Sequence, residues 1–487
     1  MRSVLAVDLG SSNLRAALVD ERGRLTHLQS TPAPSPDTDA SGRSEIRADA
    51  WWEGFNTCVT ALAASAGASF DQVAAVAISG VTRTQILLGA DQRPLRPAIT
   101  WADTRATPLL PEFLALVAPD EPETKHLNAF HPAARLAAIA RSEPRILERT
   151  TCVLEPKDYI NLRLTGRAVT DHVSSARLRA AIALLPPLGV SRHIVPQAVP
   201  PTDMIGRVAS SHTDPLAKLA GCPVMAMGTD TWASVIGLGA LRDGFAYNLS
   251  GTTEVFGVLS STPAQADGLL AVDFGSGLTQ LGGPSQNGGD TLIWLTELLG
   301  LPERDIGAAL NHLLAAPRDP QDLLFLPYLQ GERVPYWDPS LRGAFIGLHR
   351  RHGPGDLARA ALEGIAFVNR IVLERAESAI GRPVAEIRFG GGGSANAAWC
   401  QIKADICARP VTVVDTDEPG LTGAGLVAWA ALDHATDLSA VQSALPVRRN
   451  YQPHPHSVAA YDRLYAIFRA AEAAIAPLSH ALVSSQR

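Results

Sequence analysis

The chain of 487 residues is too long for one hydrophobic core, so we expect two domains, with three as the alternative. Apolar residues make up 46% of the sequence, an ordinary share for a soluble globular protein, and the formal net charge of −6 offers no basic surface for nucleic acid. No apolar run approaches the roughly 18 residues that a membrane-spanning helix needs. We therefore expect neither nucleic acid nor a membrane as a partner.

The amino terminus and the cysteines favour a cytoplasmic protein. Met1 is followed almost at once by an apolar strand, without the pattern of a signal peptide. The cysteines are scattered and odd in number, which favours buried, reduced thiols over disulfides or a metal site. They are Cys58, Cys152, Cys222, Cys400 and Cys407. Arginine far outnumbers lysine, which we attribute to genome composition; the four lysines are Lys125, Lys157, Lys218 and Lys403.

The first part of the chain alternates strands, turns and a helix. Residues 4–8 and 14–19 are apolar and flank a turn of glycine, serine and asparagine, which predicts a hairpin. Residues 48–65 predict a helix. Residues 73–79 are a nearly continuous apolar run, as in a central buried strand. This alternation predicts an α/β class with a mixed sheet.

The same pattern recurs near residue 245. Residues 245–249 and 254–259 predict two strands around the turn 250–253, and this second hairpin is also rich in small hydroxyl residues. Two such hairpins half a chain apart suggest two similar lobes, although chance is the stronger explanation if the pair is taken alone. A glycine run follows the strand 386–389 and precedes the helix 397–408, and residues 458–475 predict a last helix.

Glycine-rich turns can hold phosphate, because the backbone of a residue without Cβ can approach the anion and present its N–H groups. Three segments are candidates: the turn of Gly10, Ser11, Ser12 and Asn13, the turn of Gly251, Thr252 and Thr253, and the loop of Gly391, Gly392, Gly393, Ser394 and Asn396. None matches a Walker A motif. Either turn taken alone is more readily an ordinary hairpin. The third loop precedes a helix and is the more convincing nucleotide site.

Two carboxylates at strand ends could supply the other parts of a phosphoryl-transfer site. Asp8 lies beside the Gly10 turn and could hold Mg²⁺ through water. Asp230 follows an apolar strand and Gly228, where it could act as a general base. The alternative for each is a turn or helix cap.

Together, the order and spacing of these segments resemble the FGGY carbohydrate kinase family, within the larger group of actin, hexokinases and heat-shock chaperones. The xylulokinase-like members are the most similar. The resemblance covers roughly residues 3–435. Its motifs lie at residues 6–13, 101–105, 164–166, 170–171, 228–230, 250–253, 331–335, 341–348, 362–364 and 391–405.

The resemblance implies roles for individual residues. Asp230 matches the catalytic base, and Asp8 and Asp230 the metal-associated carboxylates. Residues implied on the ATP side are the three glycine segments with Asn287 and Gly288. Residues implied on the sugar side are Thr82, Arg83, Trp101, Asp103 and Asp230. The cofactors implied are ATP and Mg²⁺, and the partners are a small sugar and a second copy of the chain in a homodimer.

Four charged residues leave the interpretation open. Glu332 and Arg333 either serve the reaction or brace their loop by ion pairs. Arg83 replaces the histidine of xylulokinases, and Arg135 stands where the family usually has lysine. Arg83 could donate to a neutral ketose, pair with a substrate carboxylate, or turn away and pair with a carboxylate such as Asp103.

We therefore expect an α/β, two-lobed actin/hexokinase-like (ribonuclease H-like) fold with an interlobe cleft. Residues 1–244 form the sugar lobe and residues 245–487 the ATP lobe, with the last helix from about 458. The expected activity is transfer of the ATP γ-phosphoryl group to a ketopentose, D-xylulose first. Alternatives are glycerol, a pentitol, ribulose or gluconate as acceptor, or a non-catalytic, nucleotide-driven sugar-binding protein.

Overall fold

A computed structural model describes residues 2–300, 306–314, 323–433, 438–443 and 445–485. They form two compact units. Unit 1 comprises Met1–Gly237 and Gly420–Val441, and unit 2 comprises Leu238–Pro419 and Gln442–Arg487. The first segment of unit 1 thus ends at Gly237 rather than at the predicted residue 244. Unit 1 also includes Gly420–Val441, which the prediction placed in the second lobe.

The strands of unit 1 are β1 (Ser3–Leu9), β2 (Asn13–Val19), β3 (Leu25–Pro32), β4 (Asp37–Thr38), β5 (Ser44–Ile46), β6 (Val73–Gly80), β7 (Ile86–Leu88), β8 (Ala98–Ile99), β9 (Cys152–Leu154), β10 (Val169–Asp171), β11 (Gln197–Val199), β12 (Met204–Arg207) and β13 (Pro223–Met225). Its helices before residue 238 are α1 (Ala48–Ala66), α2 (Leu110–Leu116), α3 (Pro132–Ser142), α4 (Pro144–Arg149), α5 (Pro156–Thr165), α6 (Ala176–Ala180) and α7 (Asp230–Gly237).

The strands that follow are β14 (Phe245–Ser250), β15 (Glu254–Ser260), β16 (Leu270–Asp273), β17 (Thr279–Pro284), β18 (Leu324–Leu326), β19 (Ala344–Ile346), β20 (Glu386–Gly391), β21 (Val411–Val414) and β22 (Val447–Tyr451). The helices that follow are α8 (Gly289–Leu298), α9 (Ile306–Leu313), α10 (Pro354–Ile380), α11 (Ala397–Cys407), α12 (Pro419–Leu432), α13 (Leu438–Ser443) and α14 (Pro455–Ser484).

The main sheet of unit 1 has the order β12-β13-β6-β1-β2-β3. β1 is antiparallel to β2 and parallel to β6, and β6 is parallel to β13. α1 packs Trp51, Phe55 and Leu62 into the core on this sheet. Because the carboxyl ends of parallel strands meet at one edge, the segments that follow β1, β6 and β13 lie along the same edge.

The main sheet of unit 2 repeats this arrangement. Its order is β16-β17-β15-β14-β20-β21-β22, with β14 antiparallel to β15 and parallel to β20, and β20 parallel to β21. The run β21-β20-β14-β15-β17 therefore corresponds to β13-β6-β1-β2-β3 of unit 1. The repeated hairpin in the sequence reflects this shared topology.

Helix α12 returns the chain to unit 1. The Trp429 indole N–H donates to the Val19 carbonyl at 3.1 Å, and the Thr422 hydroxyl lies 3.3 Å from the Gly23 carbonyl oxygen. A Cβ on Gly425 would lie 2.4 Å from the Val19 side chain, so only glycine allows this approach. These contacts join residues some four hundred positions apart, which local patterns do not reveal.

Helix α14 is longer than the predicted 458–475. Its residues Tyr461, Leu464 and Phe468 are buried in the core of unit 2, whereas Leu478 and Leu482 further on are exposed. Among the described helices, α14 has the length and apolar composition that a membrane span requires. This differs from the expectation of no such stretch, which rested on uninterrupted apolar runs, whereas Arg469 and Glu472 interrupt the apolar residues of this helix.

A buried carboxyl on α10 makes stability depend on pH. Burial raises the pKa of Glu363 to about 7, although the Tyr461 hydroxyl donates to it at 2.8 Å. A folded-state pKa above the ordinary 4.5 stabilises the fold at low pH, and this contribution is lost as the pH rises through about 7. Glu363→Gln keeps the acceptor and removes the titration.

We therefore expect the free energy of unfolding of Glu363→Gln, measured relative to that of the wild type, to rise by about 1–3 kcal/mol when the pH is raised from about 5 to about 8. Urea unfolding at the two pH values measures this gain. A stability difference between variant and wild type that is the same at both values would contradict the assignment.

Candidate active site

Asp230 is the first residue of α7, at the carboxyl edge of the unit 1 sheet. Its Oδ1 accepts hydrogen bonds from the Thr231 amide at 2.6 Å and the Thr231 hydroxyl at 3.2 Å. Both hydrogen bonds that described residues donate to this carboxyl go to Oδ1, so Oδ2 is left to accept another proton. Burial raises the pKa of Asp230, and the two Thr231 hydrogen bonds oppose that rise.

The loop before Asp230 is shaped by close packing. Met227 has a left-handed backbone with a φ of 56°, and a Cβ on Gly228 would lie 2.8 Å from the Trp232 ring. The Trp232 amide donates to the Thr229 hydroxyl at 3.0 Å, which satisfies one of the free N–H groups of the first helical turn. Gly228 in the predicted motif is therefore a packing requirement of this turn.

A buried lysine that sequence reasoning did not single out anchors this loop. Lys157 is fully buried, and its Nζ lies 2.5 Å from Asp158, 2.8 Å from Asp171 and 3.2 Å from the Ala226 carbonyl oxygen. Ala226 begins the segment that leads to Asp230. The scarcity of lysine in the sequence was the available signal, and it was attributed to composition.

Asp8 lies at the end of β1, paired in register with Arg15 of β2 and Ser79 of β6. In the next turn, a Cβ on Gly10 would lie 2.7 Å from the Asn13 carbonyl oxygen, so the tight turn requires glycine. Among the described residues no group of three or more histidine, cysteine, aspartate or glutamate side chains could hold a metal ion. Mg²⁺ at Asp8 would therefore take most of its ligands from phosphate and water, as this ion commonly does.

The sugar-side residues predicted from the sequence fall into two groups. Arg83 is exposed and lines a cavity with Thr84, Gln85 and Glu155, and Thr82 precedes it in the chain. Trp101 is 44% exposed. The Trp101 amide donates to the Thr84 hydroxyl at 3.2 Å, so the Trp101 loop adjoins the segment that carries Arg83.

Asp103 is placed differently. It is fully buried, with its carboxylate 2.6–3.0 Å from the Arg105 guanidinium, and it accepts the Ser44 amide at 2.7 Å. These contacts indicate that Asp103 braces its own loop. They do not support the prediction that Asp103 contacts the sugar, which stays a prediction. They also make Arg105, rather than Arg83, the ion-pair partner of Asp103.

Arg135 is a buried cation on α3 with incomplete pairing. Its Nη1 donates to the Thr100 carbonyl, one residue before Trp101, while Nε and Nη2 have no partner among the described residues. Burial lowers the pKa of Arg135 to about 10. A buried guanidinium with two unused donors is costly unless a ligand or water completes it, so Arg135 is a second candidate for contact with substrate.

In unit 2, the turn of Gly251, Thr252 and Thr253 contacts the start of α8. The Gly289 amide donates to the Gly251 carbonyl and the Asp290 amide to the Thr252 carbonyl, each at 3.0 Å. A Cβ on Gly289 would lie 2.4 Å from the Gly251 carbonyl oxygen. The predicted phosphate turn therefore lies against the amino terminus of a helix.

Glu332 holds the segment before α8 in place. Its carboxylate accepts four hydrogen bonds, from the amides of Gln286 at 2.6 Å and Arg333 at 2.8 Å, the Ser285 hydroxyl at 2.8 Å and the Asn287 side-chain amide at 3.2 Å. Burial raises the pKa of Glu332, and these donors oppose the rise. Glu332 thus braces the loop by hydrogen bonds, and Asn287 spends its side-chain amide on this bracing.

The glycines of the 390–393 run have different surroundings. Gly391 has a φ of 83°, and its Cβ would lie 2.3 Å from the Ser250 carbonyl oxygen, whereas a Cβ on Gly393 would lie 2.5 Å from Ser250 and Trp399. A Cβ on Gly392 would meet nothing within 4 Å. A Cβ on Gly390 would lie 2.5 Å from the Leu238 side chain, so Gly390, Gly391 and Gly393 are closely packed and Gly392 presents an open side.

The residues after this run complete the turn into α11. The Ser394 hydroxyl donates to the Gly391 carbonyl at 2.8 Å. The Asn396 side chain accepts the Trp399 amide at 2.8 Å and caps α11. The predicted nucleotide loop is therefore a glycine turn that leads into a capped helix amino terminus.

Two family models match the chain: the N-terminal domain of the FGGY family of carbohydrate kinases over residues 3–237 and its C-terminal domain over residues 246–432. The xylulose kinase of Lactococcus lactis subsp. lactis (strain IL1403) is 28% identical over 505 residues, 99% of each chain. The gluconokinase of Bacillus subtilis (strain 168) is 25% identical over 495 residues, 96% of this chain and 94% of that one.

A solved structure shows the same relationship. The crystal structure of a xyloylose kinase from Brucella ovis matches with a TM-score of 0.86 and 27% identity, over 98% of this chain and 100% of that chain. The chain therefore belongs to the FGGY family of carbohydrate kinases. It is a phosphotransferase that uses ATP and acts on a sugar hydroxyl. The predicted family and actin/hexokinase-like fold are confirmed, and the individual site residues stay predictions.

The glycine geometry predicts unequal effects of the same substitution. Gly391→Ala must strain a left-handed backbone and displace Ser250, so we expect it to lose about 2 kcal/mol or more of stability. Gly392→Ala enters open space and should change stability by less than about 0.5 kcal/mol. Thermal unfolding of both variants measures this difference, and equal losses would contradict the described loop.

Proposed function

We propose that the chain transfers the γ-phosphoryl group of ATP to a terminal hydroxyl of a ketopentose, with D-xylulose first. The observation that most directly supports this proposal is that both hydrogen bonds from Thr231 go to Oδ1 of Asp230, so that Oδ2 can accept the proton of a hydroxyl. The full-length likeness to a xylulose kinase supports the ketopentose. A cytoplasmic location and a homodimer, both expected from the sequence, belong to the same proposal.

The proposed chemistry divides among this chain's own groups. The Asp230 carboxylate accepts the proton of the attacking hydroxyl as that oxygen bonds to the γ-phosphorus and ADP leaves. The glycine turns at Gly10 and Gly251 present backbone N–H groups to the phosphates. Asp8 would hold Mg²⁺ through water, and the ion, when bound, supplies charge to the phosphate oxygens. Gly392 and its neighbours leave open space for the adenosine.

Gluconate is the second candidate acceptor. Arg83 is an exposed guanidinium at the cavity, and Arg135 keeps two unused donors behind the Trp101 loop. Guanidinium groups pair well with carboxylates, and a gluconokinase is among the full-length relatives. The buried pairing of Asp103 removes the repulsion that would otherwise disfavour an acid.

A coupled ADP-release assay with a panel of acceptors tests the proposal. The panel contains D-xylulose, D-ribulose, glycerol, a pentitol and gluconate, each with ATP and Mg²⁺. We expect D-xylulose to give the highest kcat/KM, and a higher value for gluconate would transfer the assignment to the second candidate. No acceptor-dependent ADP release with any compound would overturn the proposed acceptor class.

The role of Asp230 is tested on the best acceptor. Asp230→Asn keeps the shape and removes the base, so we expect kcat to fall by about 10²–10⁴-fold while both substrates still bind. The matched control is Asp91→Asn, an exposed turn carboxylate of the same unit, which should retain wild-type kcat. Asp230→Asn with more than about a tenth of wild-type kcat would remove Asp230 from this role.

The pH dependence should follow the same carboxyl. Because burial raises the pKa of Asp230 above 3.8 and the base must be ionised, kcat/KM should fall as the pH drops through that raised value. Thr231→Val removes one hydrogen bond that lowers the pKa, so the acid limb should move to higher pH. A pH–rate profile measures this, and a limb that moves to lower pH would exclude Asp230 as the titrating group.

A further inference from the structure

Arg83 has an unfavourable backbone conformation. Its φ of 60° lies in the left-handed region, which glycine adopts readily and residues with a Cβ avoid. Such a conformation persists where the surrounding structure holds it. The neighbours Thr82 and Thr84 are not glycines, so local sequence does not explain it.

A distant carboxyl holds this backbone. Glu155 Oε1 accepts the backbone N–H of Arg83 at 3.0 Å, across 72 residues of sequence. Glu155 occupies the cap position of α5, yet its side chain makes no capping hydrogen bond to its own helix. Its carboxyl is thus turned from the expected local partner to the Arg83 amide.

The contact lies at a cavity that both polar and apolar residues line. Arg83, Gln85, Glu155 and Ser174 are among its lining residues. Three buried atoms here, Gln85 Oε1, Glu155 Oε2 and Ser174 Oγ, have no hydrogen-bond partner among the described residues. Buried polar atoms are seldom left unpaired, so small shifts that open this wall would let it form hydrogen bonds with the hydroxyl groups of a sugar.

The orientation of the Gln85 amide follows from its other contact. Its Nε2 lies 3.2 Å from the Pro132 carbonyl oxygen, which can only accept a hydrogen bond. Oε1 is therefore the amide atom left without a partner. The buried wall of the cavity thus contains Gln85 Oε1, which can accept a hydrogen bond, beside the Glu155 carboxyl and the Ser174 hydroxyl, whereas Arg83 is exposed.

We propose that Glu155 is a positioning residue that sets acceptor specificity through Arg83. By accepting the Arg83 N–H, it fixes the left-handed backbone and thereby directs the guanidinium to the acceptor in the cavity. This inference rests on the proposed function and on the sequence prediction that Arg83 contacts the acceptor. Without the hydrogen bond, the backbone would relax toward a more favourable region and the guanidinium would leave its place.

The proposal requires that Glu155 Oε1 accept a hydrogen bond, but it does not require the Glu155 carboxyl to be charged. Burial and the nearby Asp158 raise the pKa of Glu155 well above its ordinary range, and Oε1 can accept from Arg83 in either protonation state. Glutamine keeps such an oxygen at nearly the same place, whereas methionine has a similar length and lacks it. Glu155→Gln and Glu155→Met therefore form a matched pair.

The test measures KM for the best acceptor, KM for ATP and kcat in the full-length enzyme. We expect Glu155→Met to lower kcat/KM for the acceptor about tenfold with KM for ATP unchanged, and Glu155→Gln to stay within about twofold of wild type. Arg83→Ala should lower kcat/KM at least as much as Glu155→Met. The double variant that combines Arg83→Ala with Glu155→Met should match Arg83→Ala alone, because Glu155 acts through that side chain.

Several results would overturn the inference. Multiplying effects in the double variant would mean that Glu155 acts independently of Arg83, for example by contacting the acceptor through Oε2. Equal losses for Glu155→Gln and Glu155→Met, or a parallel rise in KM for ATP, would indicate a general structural role. Glu148→Met, an exposed glutamate of the same unit, is the control for the substitution itself and should behave as wild type.

Failure of the inference and failure of the proposed function differ in their readout. If Arg83→Ala keeps full kcat/KM on every acceptor, Arg83 does not contact the acceptor and the inference falls, while the proposed phosphoryl transfer stands; absence of acceptor-dependent ADP release in the wild type would overturn both. If Arg83→Ala is impaired while Glu155→Met is normal, only the inference falls. If calorimetry shows that Glu155→Met does not fold, Glu155→Asp replaces it, because the shorter side chain moves the carboxylate oxygen away from the Arg83 N–H by one methylene. A normal kcat/KM in Glu155→Asp would equally overturn the inference.

Discussion

Two buried lysines that pair with carboxylates hold the loops on which the candidate site depends. In unit 1, Lys157 lies 2.8 Å from Asp171 and donates to the carbonyl of Ala226, at the start of the loop that carries the candidate base. In unit 2, Lys403 lies 2.9 Å from Glu254, which directly follows the predicted phosphate turn at Gly251. Removing one partner of a buried pair typically costs about 3–5 kcal/mol, since it leaves the other charge unpaired. Each site loop is therefore fixed by charge within its own unit.

Local signals predicted the hairpin turns, and long-range contacts decided the division of the chain. The turns at Gly10 and Gly251 are set by neighbouring small residues, so the sequence places them correctly. The return of Gly420–Val441 to unit 1 depends on contacts such as that of Trp429 with Val19, which no local pattern encodes. The contiguous division predicted at residue 244 could not include this return.

The same distinction applies to the candidate site. Asp230 was identified because a carboxylate after an apolar strand and a glycine is a local pattern, and its catalytic role stays a prediction. Asp103 was placed at the sugar by its motif, yet its carboxylate is occupied by Arg105 and by the distant amide of Ser44. For Glu332 the sequence left two alternatives, and only the folded contacts show that its carboxylate braces the segment before α8.

Burial raises the pKa of several carboxyls in this chain, so a raised pKa alone does not identify the base. Glu332 accepts four hydrogen bonds through both of its oxygens, and Glu363 accepts one from Tyr461 within the core. Both are committed to holding structure. Asp230 accepts its two hydrogen bonds through Oδ1 and lies at the carboxyl edge of parallel strands, where substrates bind in open α/β sheets. Glu155 also combines a raised pKa with an oxygen that has no partner among the described residues, so the position of Asp230 at this edge is what distinguishes it as the candidate base.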